Sequence, residues 1–407
     1  MLSRGTCRLL RKLVKVNNVR CLSWTPHGEV KREIARPSHT FVYDNLDIEL
    51  QPTHLRQRKP ETAGLQFGKH FADHMFESYW RRDSGWSQPK ICPVHALQMH
   101  PAAKVLHYAQ ELFEGMKAYR GHDGKIRLFR PELNVQRLLA SAKRLGLPAF
   151  DPQEFLRCLV RLVDVDRDWV PTSPLSALYI RPTFFGVEPT LGVHRSSEAF
   201  LYVITGPVGG YYNTRSRGVS LLADPQYVRA WPGGTGDKKL GCNYAPTLAV
   251  QREAERLGLE QVLWLFGPEQ QITEVGAMNV FVFLRNRDGE PELITPPLSG
   301  IILPGITRRS VLDLVRQWNE FKVTERTITI FELREALNEG RVLEMFGSGT
   351  AVLISPVERI VHRQNNRCED LYIPTMQNEW QLHARITRKL QDIQRGVIDH
   401  PWALEID

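Results

Sequence analysis

The chain is 407 residues long, 42% hydrophobic and 24% charged, with 29 Gly and 26 Pro, which excludes a disordered regulator or a collagen-like rod and allows roughly two to three domains with large cores. Its longest apolar runs, such as that around Val275 to Leu284, reach about ten residues, half of the roughly 20 a membrane helix needs, and six Cys without a CxxC pair suit neither a disulfide framework nor a zinc ribbon but a reducing compartment. The net charge of +8 is concentrated at one end: Arg4, Arg8, Arg11, Lys12, Lys15 and Arg20 precede the first acid, Glu29, and without them 47 basic residues face 45 acidic ones, so a basic nucleic-acid or membrane-surface binding protein is disfavoured.

Along the chain, the first element is a basic amphipathic helix. Arg4, Arg8, Arg11, Lys12 and Lys15 share one face at 100° per residue, and Leu2, Leu9, Leu13 and Val16 the other. Basic, acid-free and without a continuous apolar core, residues 1–28 read as a mitochondrial transit peptide directing the chain to the matrix, processed between Arg20 and about Pro26; a solvated basic tail is the alternative. Lys125 to Phe129 predicts a strand leading to Pro131 at a helix start, with Val135, Leu138, Leu139, Ala142 and Leu145 at helical spacing. A second helix carries Phe155, Leu159, Leu162 and Val163, and strands follow around Ala177 to Phe185 and Ala199 to Thr205. The Gly-rich polar stretch 206–218 predicts an interdomain loop between a small N-terminal domain, 29–205, and a larger C-terminal one, 219–407. In the latter, strands at Val219 to Leu222, Gln261 to Phe266 and Met278 to Arg285 alternate with helices near Pro246 to Leu257, Thr307 to Phe321, Phe331 to Leu337 and Glu379 to Arg395. The pattern is mixed α/β (α+β), with no internal repeat.

Two segments invite chemistry. GGTGDKKLGCNYAPT, Gly233 to Thr247, is not a phosphate loop, because Asp237 separates Gly236 from Lys238 and no Ser or Thr follows the lysines directly. It does hold Lys239 on a small-residue turn, where a lysine either reaches a carbonyl cofactor or is simply solvated. In ITEVGAMNVFVF, from Ile272, Glu274 opens a hydrophobic strand, five residues before Asn279. A buried carboxylate there needs a partner, which a pyridinium N–H, an Arg or a backbone N–H could each supply.

Taken together, FGKHFADHM from Phe67, LHYAQELFEGMKAYRG from Leu106, RLFRPELNVQRL from Arg127, LYIRPTFFGVEPTLGV from Leu178, KLGCNYAPT from Lys239, TEVGAMN from Thr273, LPGITRRS from Leu303 and FGSGTA from Phe346 resemble the branched-chain-amino-acid aminotransferases, which are fold-type IV enzymes of pyridoxal 5'-phosphate. The resemblance runs from about Phe67 to the carboxyl end. It implies a cofactor held between the two domains and ping-pong exchange of amino groups between leucine, isoleucine or valine and 2-oxoglutarate, giving glutamate. Lys239 falls on the Schiff-base lysine, with Lys238 a decoy. Glu274 falls on the acid facing the pyridine nitrogen and Tyr244 on the phenol at the ring oxygen. Arg137 falls on the phosphate-binding arginine, with Arg130 the competing choice. Backbone N–H groups of Ile306 and Thr307, opened by Pro304-Gly305, and the Thr350 hydroxyl would share the phosphate. Phe67, Tyr108, Tyr179 and Tyr211 match pocket aromatics, Arg181 the arginine for the distal carboxylate of glutamate or 2-oxoglutarate, and the Thr350 and Ala351 N–H groups the α-carboxylate. Leu191 and Val193 match a loop that closes the pocket of a neighbouring subunit, so a homodimer is implied. No metal, nucleic acid or membrane enters the reading.

Three positions depart from the family's pattern. Val352 and Ser355 stand where vertebrate mitochondrial members carry a redox-sensitive CxxC, Ala277 stands where threonine is common, and Cys242 is read as a turn residue. A D-amino-acid aminotransferase or an aminodeoxychorismate lyase would share Lys239 and Glu274, but the long motifs at Leu106 and Leu178 favour branched-chain substrates.

Overall fold

The computed structural model describes residues 39–62, 65–209, 217–364 and 367–406, all within the compact unit Pro37–Asp407. The N-terminal leader, Tyr211 and most of the expected interdomain loop lie outside the described residues. The strand Glu198–Val208 runs through Gly206 to Val208, so the chain is still in the sheet where the loop was expected to begin.

The first sheet is built mainly of antiparallel strands around the long pair Ala177–Gly186 and Glu198–Val208. His74–Arg81 flanks Glu198–Val208 on one side; Met116–Arg120 and Ile126–Phe129 extend the other. The C-terminal strand Ala403–Ile406 returns to pair with Ile126–Phe129, closing the chain back onto the sheet it left. Two helices cover this sheet. Pro131–Leu145 starts on Pro131 and ends on Gly146 at φ 68°, and Pro152–Val165 is capped by Asp151, whose carboxylate accepts from the N–H groups of Gln153 and Glu154. Their apolar stripes, Val135, Leu138 and Ala142 on one and Phe155, Leu159 and Leu162 on the other, enter a core with Phe41, Phe76, Trp86, Phe150 and Phe184. Each fully buried Leu or Phe in such a core contributes about 1.5–3 kcal/mol.

In the second sheet six strands close on themselves, in the order Gln271–Val275, Gln261–Phe266, Val219–Ala223, Leu353–Gln364, Val342–Gly349 and Met278–Arg285, the last pairing back to the first through Glu274 opposite Asn279 and Val275 opposite Met278. The expected strand-helix alternation corresponds to two crossovers whose strands pair in parallel: Val219–Ala223, helix Thr247–Arg256 and Gln261–Phe266, and Pro291–Thr295, helix Ile306–Trp318 and Lys322–Glu325. Most other pairings are antiparallel, and all of these but Met278–Arg285 with Val342–Gly349 join consecutive strands. The V-F-V-F run of Met278–Arg285 shows why a barrel forms. Val280 and Val282 enter one cluster with Leu263, Ile272, Met345 and Val357, while Phe281 and Phe283 face another holding Val311 and Leu314 of helix Ile306–Trp318 and Ile386 and Leu390 of helix Leu382–Gln394. Among the described residues no helix is long and apolar enough to cross a membrane.

Candidate active site

A cavity of about 640 Å³ opens between the two sheets. Lys239 enters it from an extended segment, its carbonyl accepting from Phe113 N at 3.1 Å and its N–H donating to Ser141 Oγ at 3.1 Å. The turn beside it is tied by Asn243, whose Nδ2 donates to Thr235 O and Lys238 O, each at 2.8 Å. Gly241 lets the Glu111 side chain approach closely, since a Cβ would sit 1.6 Å from Glu111 Oε1 and displace that carboxylate. Lys239 Nζ donates to the Tyr244 hydroxyl at 3.0 Å and lies 4.8 Å from the Phe113 ring centroid. Lys238 is paired with Asp237 instead. Cys242 lies exposed in the short turn Gly241–Asn243.

Glu274 sits near the end of Gln271–Val275, not at a strand start, and lines a smaller adjoining cavity of about 300 Å³; Tyr244, Gln261, Ala277 and Leu303 line both. Its carboxylate takes an Arg and a backbone N–H together: Arg229 Nη2 lies 2.6 Å from Oε2, and Leu303 N and Asn279 Nδ2 donate to Oε1 at 3.0 and 3.1 Å. Burial pushes the Glu274 carboxyl above the usual carboxylate range, against the pull of Arg229, the Leu303 N–H, Lys239 and Arg137. Asn279 also donates to Leu303 O at 2.8 Å, joining the hairpin to the segment that leads into helix Ile306–Trp318.

That helix begins at Gly305 with no side-chain cap and no acid in its first turn, so its leading N–H groups, those of Ile306 and Thr307 included, have no acceptor within the helix and face the cavity's rim with the positive end of the dipole. A Cβ at Gly305 would lie 2.0 Å from Asn279 Oδ1. Thr350 and Ala351 line the same wall, in the loop between Val342–Gly349 and Leu353–Gln364. Lys117 Nζ props this loop by donating to Ala351 O at 2.8 Å. Burial first, then the Arg395 guanidinium, lowers the Lys117 ammonium to about 8.

Arg137 is present but heavily committed. Its Nε and Nη2 grip Glu114 at 2.7 and 2.8 Å, and Nη1 donates to Pro304 O at 3.2 Å. Arg130 lies elsewhere, bonded to Ser310 and Asp313 and packed on Trp402. At the cavity's other side Phe67 and Tyr179 meet edge to face, and Arg181 lies 4.7 Å from the Phe113 ring centroid with Nη2 on the Tyr179 hydroxyl at 3.1 Å and Nε buried without a hydrogen-bond partner.

The fold thus gathers Lys239, Tyr244, Arg137, Ile306, Thr307, Thr350, Ala351, Phe67, Tyr179 and Arg181 around one cavity, with Glu274 behind it. Tyr108, Leu191 and Val193 do not join them. They form an exposed patch in which the Tyr108 hydroxyl donates to Leu191 O. Ala277 and Val352 line the cavity, while Ser355 is buried in the strand beyond, its Oγ without a partner. Sequence reasoning missed Glu114 and Arg229, the counter-ions of Arg137 and Glu274; each is an isolated charge within an apolar run, LFEGM and YVRAW, a signal of a buried ion pair.

Residues 111–360 match the family model for amino-transferase class IV, a span containing every cavity contact just described except that of Phe67, and the chain belongs to this family. Within it the chain stands among the branched-chain-amino-acid aminotransferases. The cytosolic one of Rattus norvegicus is 52% identical over 361 residues, covering 88% of this chain and 87% of that protein. The mitochondrial one of Mus musculus is 51% identical over 367 residues, covering 90% and 92%. Among solved structures, the branched-chain amino acid aminotransferase of Escherichia coli superposes with a TM-score of 0.60 at 25% identity, over 81% of this chain and 98% of that one. The branched-chain amino acid aminotransferase of Thermobaculum terrenum in its PLP form shares the fold at a TM-score of 0.62 and 19% identity, over 83% and 100%.

Proposed function

We propose that the Lys239 cavity transfers amino groups between leucine, isoleucine or valine and 2-oxoglutarate, with pyridoxal 5'-phosphate as the cofactor. One observation carries this: the Lys239 amine, 3.0 Å from the Tyr244 phenol, stands between an uncapped helix N-terminus and a buried carboxylate. The donor set fits such a group. A phosphate suits the Ile306 and Thr307 N–H groups, the Thr350 hydroxyl and the partnerless Ser348 Oγ on the same wall; a ring oxygen suits Tyr244; a ring N–H suits Glu274, which accepts three contacts and has lone-pair capacity for another. Arg137 acts at the phosphate end through its Nη1 edge, held square by Glu114.

When bound, the cofactor supplies an electrophilic carbonyl and an electron sink. This chain's residues do the rest. Lys239 Nζ takes and returns the substrate's α-proton, with Tyr244 fixing its direction. Phe67, Phe113 and Tyr179 exclude water from an aliphatic side chain. Arg181 Nε, buried and unpaired, is set to receive a distal carboxylate, so one pocket serves both half-reactions, while Ala351 N–H holds the α-carboxylate.

Two further parts of the reading concern assembly and address. Leu191 and Val193, exposed at 61% and 83%, close the pocket of a second copy in a homodimer. The acid-free basic segment 1–28 takes the chain to the mitochondrial matrix, and the domains divide between Val208, where the strand of the first sheet ends, and Val219, where that of the second begins. The test is borohydride reduction of the purified coloured protein followed by peptide mapping, alongside assays of leucine, isoleucine and valine against D-alanine. Label fixed on Lys239 with turnover of the branched L-substrates is expected; colourless protein, or turnover of D-alanine alone, overturns the reading.

A further inference from the structure

Helix Lys104–Tyr108 and the loop 188–194 are tied at three places. Ala103 bridges Pro189, the Tyr108 hydroxyl donates to Leu191 O, and Lys104 drives its ammonium into the loop. Lys104 is only 1% exposed. Its Nζ donates to Gly192 O at 2.7 Å, to His194 O at 3.0 Å and to His194 Nδ1 at 3.1 Å, with Glu188 Oε2 3.6 Å away as counter-charge. An ammonium has three protons to donate, so these bonds exhaust it, and all of its partners belong to one loop. A lysine is almost never fully buried unless paired. Here any displacement of the loop would strand the charge without acceptors, which makes the loop's position costly to change. The same short loop turns two large apolar side chains, Leu191 and Val193, out to solvent. A charge inside and apolar groups outside invert the usual order, as expected of a segment shaped to present those groups to something else.

We infer that Lys104 is a positioning residue for substrate selection: by clamping Gly192 and His194 it sets where Leu191 and Val193 meet the aliphatic end of the pocket, and so favours branched aliphatic substrates over glutamate. This rests on the proposed reading in which the loop closes the pocket of a second copy. In the full holoenzyme, Lys104→Met lowers the ratio of kcat/KM for leucine to that for glutamate about tenfold, through the KM for leucine, with kcat held within about twofold. Lys104→Met/Glu188→Gln removes both charges, leaves no unpaired ion to threaten folding, and gives the same shift. A lowered Tm with the ratio unchanged in both variants overturns the inference and makes Lys104 merely structural. Leu191→Ala/Val193→Ala separates the two levels. An unchanged ratio there refutes the pocket-closing role of the loop itself; a shifted ratio there with none in the Lys104 variants refutes only the assignment of Lys104.

Discussion

Glu114 holds Arg137, the proposed phosphate contact, from behind, and its removal can be costed. The carboxylate is 0% exposed and accepts from Arg137 Nε at 2.7 Å, Arg137 Nη2 at 2.8 Å, Asn134 Nδ2 at 2.8 Å and Gly115 N at 3.2 Å. In Glu114→Gln one oxygen becomes an NH2 facing donors, which loses one bond if it replaces Oε1 and three if it replaces Oε2, and the Arg137 guanidinium, 8% exposed, keeps one bond to the remaining oxygen and one to Pro304 O but has no counter-charge. Unsatisfied buried groups cost about 1–3 kcal/mol each, and breaking a buried ion pair from one side typically costs about 3–5 kcal/mol. The expected loss is therefore about 4 kcal/mol, or about 5 °C in Tm for a folded unit of this size. Glu114→Met/Arg137→Met removes the pair together and should return to within about 1 kcal/mol of the parent, because the desolvation penalty goes with the charges. Urea unfolding of the parent, Glu114→Met, Arg137→Met and the double variant closes the cycle, with a coupling of about 3 kcal/mol or more expected. A single-variant cost below about 1 kcal/mol, or additive costs, would refute the internal counter-ion argument. The stable double variant also isolates chemistry from folding: it should bind pyridoxal 5'-phosphate at least about tenfold more weakly, and unchanged affinity would remove Arg137 from the phosphate site.

Further outcomes follow from the same geometry. Lys239→Ala should abolish transamination while far-UV circular dichroism and the unfolding midpoint stay near the parent's, since its side chain bonds only Tyr244; residual turnover above about 1% would contradict its role. Arg181→Met should raise the KM for 2-oxoglutarate and glutamate about tenfold or more and that for leucine far less, and equal effects on both would mean that Arg181 serves packing alone. Lys117, at about 8 in the folded chain against 10.5 when exposed, is protonated in both states below pH 8, where its burial costs up to about 3 kcal/mol. From pH 8 to 10.5 the unfolded chain holds a proton that the folded chain has released, so this group makes folding more favourable as pH rises. Relative to Lys117→Met, the parent's urea midpoint should climb across that window, and parallel pH profiles would exclude the effect. Glu274→Gln should lower kcat by about 10² or more through loss of the charge that faces the ring nitrogen; unchanged kcat would assign Glu274 to Arg229 alone.

Local pattern was enough wherever one segment decides its own structure. Helix Pro131–Leu145 is readable because a proline start, a glycine stop and one apolar stripe all lie within it. The strand Met278–Arg285 is readable because its alternation has two sides to satisfy. Edge strands such as Lys322–Glu325 and Arg367–Tyr372 carry mixed polar sequences and are strands only because a neighbour offers its hydrogen bonds, a fact of tertiary pairing that no window of sequence contains. The same division runs through the site. The family motifs place Lys239, Tyr244 and Glu274, since each lies in a contiguous stretch. What they do not place is the electrostatic frame behind those residues, because its ion pairs join distant segments: Arg229, in the loop after Val219–Ala223, to Glu274 in Gln271–Val275, and Glu114 to Arg137 from strand end to helix. Charge pairing adds a rule that could be applied to a sequence alone. An isolated acid in an apolar run, such as Glu114, demands a buried cation elsewhere in the chain, and an arginine on the buried face of a helix, such as Arg137 beside Val135 and Leu138, is the complementary signal. Applied to LFEGM and to VQRLL, that rule marks Glu114 and Arg137 as members of buried ion pairs before any coordinate is known, while which acid meets which arginine is set by the fold, as it is for Arg130, which pairs with the half-buried Asp313 outside the cavity.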